Sequence, residues 1–99
     1  MDQRRKKKLD RTIDACLATI NKMKLTREEV ILTLAQLLIR AGYSFYYKLE
    51  MPTDSPPEKV TRNEVEKLFF TNPTTGVTLM QIGFDMQNRL LHRTQEKSS

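Results

Sequence analysis

The chain has 99 residues, 38% hydrophobic and 29% charged, with one cysteine, one histidine and a net charge of +5. That length suits one domain, and the composition is that of a globular rather than a disordered chain. The single Cys16 excludes an intrachain disulfide and a cysteine-rich zinc site, and His92 alone leaves no multi-histidine centre, so no cofactor or metal is expected.

The N-terminal arm, residues 1–11, carries Arg4, Arg5, Lys6, Lys7, Lys8 and Arg11 against Asp2 and Asp10, a net +4, and leaves the other residues at +1. Behind it Leu9, Ile13, Cys16, Leu17, Ile20 and Met23 recur at three- and four-residue steps, which predicts an amphipathic helix over about 4–23. Cys16 falls on that apolar stripe and reads as a buried, reduced thiol. The short turn at Lys24–Leu25 predicts antiparallel packing of the first two helices.

Thr26 and Glu29 form a capping box, with Leu25 and Val30 as its hydrophobic staple. The second helix then runs over about 27–49, with Val30, Leu34, Leu37, Leu38, Ala41 and Phe45 as the buried stripe. Gly42 is also the residue type found just past a helix end, and residues 43–49 alternate well enough for a strand. A short strand near 43–49, giving an α+β fold, is therefore the alternative.

Pro52, Pro56 and Pro57 mark residues 50–60 as a linker. A second capping box, Thr61 with Glu64, opens a helix over about 62–70, stapled by Val60 and Val65, with Val65, Leu68 and Phe69 inward. Asn72–Gly76 reads as a turn, and Pro73 rules out glycosylation at Asn72. A third box, Thr78 with Gln81 and the staple Val77–Ile82, predicts a last helix over about 79–93 and a disordered tail at 94–99. Gly83 inside it costs about 1 kcal/mol against alanine and suggests close approach of another helix. The fold class is all-α: one helical domain, 9–93, of two hairpin-like halves joined by the proline-rich linker.

No enzyme is expected, because no catalytic constellation assembles. Glu28, Glu29, Glu64 and Glu66 suit helix first turns, His92 suits a helix C-terminus, and the calcium-loop, phosphate-loop and dinucleotide patterns are absent. No helix bears the features of a DNA-recognition helix. No run approaches the ~18 apolar residues of a membrane span, and no signal-type segment follows the arm, so a cytoplasmic protein without membrane insertion is expected.

Two surfaces remain. The apolar faces are wide: Ile31, Leu32 and Ile39 flank the second helix's stripe, and Leu79, Met80, Ile82, Phe84, Met86, Leu90 and Leu91 cover more than one side of the last. Four of the seven aromatics, Tyr43, Phe45, Tyr46 and Tyr47, fall within five residues. The functional expectation is a small binding or regulatory module that meets a protein partner or a second copy, with Tyr43, Tyr47, Ile31 and Ile39 as interface candidates. The alternative is a nucleic-acid-associated protein gripping phosphates through Arg4, Arg5, Lys6, Lys7, Lys8 and Arg11. The same cations also suit an anionic membrane surface.

Overall fold

The structure, a computed structural model, describes residues 2–51 and 60–98, with side chains as far as His92. Four helices follow one another: α1 (Gln3–Lys22), α2 (Arg27–Tyr47), α3 (Arg62–Thr71) and α4 (Thr75–Ser98). Among the described residues there is no strand, so the fold is all-α: residues 43–47 are the end of α2 rather than a strand, and the helix stops two residues short of the expected 49. The middle of the linker, residues 52–59, lies outside the described residues.

Side chains that satisfy free backbone N–H groups set the helix starts. Asp2 accepts from the Arg4 N–H at 3.2 Å and opens α1. At α2 the capping box is reciprocal: the Glu29 N–H donates to Thr26 Oγ1 (3.2 Å), and the Thr26 N–H donates to Glu29 Oε1 (2.9 Å). At α3 the Glu64 N–H donates to Thr61 Oγ1 at 3.2 Å.

The third predicted cap is different. α4 begins three residues before Thr78, where Thr74 Oγ1 accepts from the Val77 N–H at 3.3 Å. Thr78 is already inside the helix, and its hydroxyl donates back to the Thr74 carbonyl at 2.9 Å. Val77 is therefore not a staple outside the helix but a fully buried core residue. At its other end α4 continues past Arg93 to Ser98, through the segment expected to be a disordered tail.

Two lysines stop helices. Lys24 (φ 53°) and Lys48 (φ 54°) both adopt the left-handed conformation. After α2 this ends the helix at Tyr47: the Leu49 N–H returns to the Ser44 carbonyl at 2.9 Å, the long bond of a Schellman cap. Buried Ser44 tightens the turn by donating its hydroxyl to the Glu50 carbonyl at 3.1 Å.

The chain forms two compact units, Met1–Val30 and Ile31–Ser99. The boundary falls inside α2, so the second unit joins α2 beyond Val30 to α3 and α4 across the linker. In the first unit, no residue of α1 is buried. Cys16, expected inside, is exposed.

The second unit is built on glycine. Ala35, Ile39, Gly42 and Tyr46 on α2, and Gly76, Met80, Gly83 and Gln87 on α4, repeat with the same 4-3-4 spacing, and the two rows meet antiparallel. A Cβ at Gly42 would strike the Gly76 carbonyl oxygen, and one at Gly76 would lie 2.5 Å from the Gly42 carbonyl oxygen. A Cβ at Gly83 would lie 2.6 Å from the Ala35 carbonyl oxygen and 2.7 Å from Ile39 Cγ1. Only hydrogen side chains let two helix backbones come this close. Gln36 donates to Gln87 at the far end of the same row. Beside this crossing Val65, Val77 and Met80 form the core, with Tyr43, Tyr46, Val60, Leu68, Phe69 and Phe84 packed around them.

Candidate functional site

The crossing decides which face of α2 is left over. The row Ala35–Ile39–Gly42–Tyr46 lies about a third of a turn from the row Leu34–Leu37–Ala41–Phe45. Burying the small row exposes the large one: Leu34 is 43% exposed, Leu37 50% and Phe45 57%. The expected core stripe is therefore largely a surface stripe. The physical reason is distance, since leucines cannot occupy a contact in which carbonyl oxygens touch the opposite helix.

The interface candidates divide accordingly. Ile39 is 1% exposed, held against Gly83, and belongs to the core, not to an interface. Tyr43 is half-buried against the Val65–Val77–Met80 cluster. Ile31 is half-buried. Tyr47 remains half-exposed; its ring lies 4.6 Å from that of Tyr43 and meets Tyr46 edge-on at 4.9 Å. A three-ring cluster thus closes the C-terminal end of α2, with Tyr47 as its outer member.

An open groove of about 320 Å³ borders the stripe, lined by Leu32, Thr33, Gln36, Leu37 and Arg40. The Arg40 Nε is buried without a hydrogen-bond partner among the described residues. A desolvated guanidinium N–H is a costly group to leave unpaired, and this one has almost no surface left to offer the groove. The lining thus joins two leucines to the polar side chains of Thr33, Gln36 and Arg40, a surface suited to binding.

The arm residues Arg4, Arg5, Lys6, Lys7, Lys8 and Arg11 are all exposed and lie within the first three turns of α1. They belong to the first unit, whereas the stripe and groove belong to the second. His92 is exposed, but α4 runs six residues beyond it to Ser98, so it does not lie in the last turn where its expected role at the helix C-terminus would place it. Glu29 is occupied with capping: the Thr26 backbone N–H, then the Thr26 side chain, hold its carboxyl below the ordinary value of 4.5. Among the described residues no three of His, Cys, Asp and Glu gather as a metal site would require, and no helix is long and apolar enough to cross a membrane.

Sequence reasoning missed the Leu34–Leu37–Phe45 surface, although it named each of those residues. The available signal was the second row of small residues on α2, which competes with the large row for the core. No family model, curated protein or solved structure matches this chain.

Proposed function

We propose that this chain is a small non-enzymatic helical binding module that self-associates or meets a partner helix through the apolar face of α2. One observation carries the reading: Leu34, Leu37 and Phe45 stand about half exposed in a row on a helix whose other face already holds the fold together. A helix with a second apolar row has surface to spare for a partner's ridge. The Leu32–Leu37 groove extends the row, with Thr33, Gln36 and Arg40 as its polar margin.

The test is molar mass against concentration for the intact chain and for Leu34→Glu with Leu37→Glu. A mass that rises with concentration in the intact chain, and not in the variant, supports self-association. A monomer at every concentration that also binds no amphipathic helical peptide refutes the reading.

A further inference from the structure

A second apolar stripe lies in the other unit, and its chemistry differs. α1 presents Leu9, Ile13, Cys16, Leu17 and Ile20 on one face, continued by Met23 at its C-cap. Leu9, Ile13 and Leu17 are each about half exposed, Met23 more so, and no residue of the helix is buried. Helical periodicity puts Arg4, Lys7, Arg11 and Lys22 on the opposite face and Lys8 on its flank beside Leu9. Arg5 and Lys6 sit one turn before Leu9, at the N-terminal end of the apolar side, where long cationic side chains can reach outward while their stems lie on apolar surface.

The charge is concentrated here. Gln3–Lys22 holds seven basic and two acidic residues, a net +5, equal to the charge of the whole chain. A polar face rich in Lys and Arg, set opposite an apolar face on a helix that is polar on balance, is the pattern of a helix that lies in a membrane interface. From these features we infer that α1 docks along an anionic lipid surface, its Leu9–Met23 stripe among the acyl chains and its cations in the field of the headgroups. The helix lies along the bilayer. The stripe is only about 21 Å long at 1.5 Å per residue, short of a hydrocarbon core of about 30 Å.

Other occupants use less of what α1 offers. A phosphate grip on nucleic acid uses the cations and leaves the apolar stripe in water. A second α1 brings two +5 helices together over two heptads, below the three or four that a coiled coil needs. Protein interfaces are anchored chiefly by Trp, Tyr and Arg seated in pockets, and α1 brings arginines away from its stripe's centre but no aromatic ring to fill a pocket. A lipid surface needs only apolar area on one side and positive charge on the other.

The experiment is flotation of the full chain with phosphatidylcholine–phosphatidylserine vesicles and with phosphatidylcholine vesicles, at low and high salt. Three proteins are compared: the intact chain, Ile13→Gln with Leu17→Gln, and Arg4, Arg5, Lys6, Lys7 and Lys8 all changed to Gln. The intact chain is expected to float with the anionic vesicles only, and less at high salt. The charge variant should lose on the order of 10²-fold or more in partitioning. The apolar variant should lose on the order of 10- to 100-fold. An environment-sensitive fluorophore on Cys16 should shift to the blue on binding, because that sulfur belongs to the stripe.

Three results overturn the proposal. One is no flotation at low salt. Another is flotation that the apolar variant retains in full. The third is a large loss of thermal stability in the apolar variant, which would make the stripe part of the folded core. Salt-sensitive binding of duplex DNA without flotation, and without a shift at Cys16, assigns the cations to nucleic acid instead.

Discussion

Replacing Gly83 by alanine sets two physical effects of opposite sign against each other. In a helix interior alanine is favoured over glycine by about 1 kcal/mol, so propensity alone predicts a more stable protein. The structure predicts the reverse. The new Cβ would sit 2.6 Å from the Ala35 carbonyl oxygen and 3.2 Å from the Ile39 backbone nitrogen, neither of which can rotate away. Its third neighbour, Ile39 Cγ1 at 2.7 Å, belongs to a fully buried side chain. Overpacking a filled contact costs about 1–3 kcal/mol, and backbone neighbours place this site at the upper end. The net is a loss of about 1–2 kcal/mol. For a domain of this size that lowers Tm by about 4–16 °C.

The assay is thermal unfolding by circular dichroism. A control variant, Ala18→Gly, carries the inverse change at an exposed position of α1 and registers propensity alone. If Gly83→Ala raises Tm instead, the close crossing of α2 and α4 is wrong, and with it the argument that exposes Leu34, Leu37 and Phe45.

Other predictions follow from single contacts. Thr61→Ala removes the α3 cap and should cost about 1 kcal/mol by urea unfolding, with Thr61→Ser close to wild type. Lys48→Gly relieves a left-handed lysine and should stabilise the chain by about 0.5–1 kcal/mol in the same assay, whereas Lys48→Ala should not. Because the Glu29 carboxyl is lowered from 4.5 by its bonds with Thr26, its contribution is present above that value and fades as pH falls through the lower folded one. Tm measured from neutral pH into acid should therefore fall more steeply below 4.5 for wild type than for Glu29→Gln. Ile39→Ala empties a buried site and should cost about 2–5 kcal/mol, while Leu37→Ala, half exposed, should cost much less.

Local rules made the helices legible. Thr26 with Glu29 and Thr61 with Glu64 mark true helix starts because capping is decided within four residues. Thr78 with Gln81 satisfies the same rule and fails, because Thr74 lies one turn earlier and takes the role first. Once Thr74 caps, Gly76 must be helical, although an Asn-Pro-Thr-Thr-Gly string looks like a turn. What decides Gly76 is the Gly42 backbone, a residue 34 positions away. The same long-range contact keeps Gly42 inside α2, where local preference would place it just past the end. At Gly83 the sequence does carry the answer, since a glycine well inside an apolar helix has few other uses. The choice between the two rows of α2 was not legible, because hydrophobicity favours the leucine row and only the partner helix's glycines favour the small one.

That inversion bears on how strongly α2 can bind. Complete burial of a Leu or Phe side chain is worth about 1.5–3 kcal/mol, and Leu34, Leu37 and Phe45 have about half of that left to gain. Together they offer about 2–5 kcal/mol per copy, about 4–10 kcal/mol when two copies pair, against an association cost of about 4–15 kcal/mol. The row alone therefore does not hold a tight dimer; two copies joined only there reach a Kd of tens of micromolar at best. Tight binding requires more than area. It requires a partner that also encloses Phe45 in a pocket, since a fully desolvated anchor is what raises affinity beyond the apolar sum.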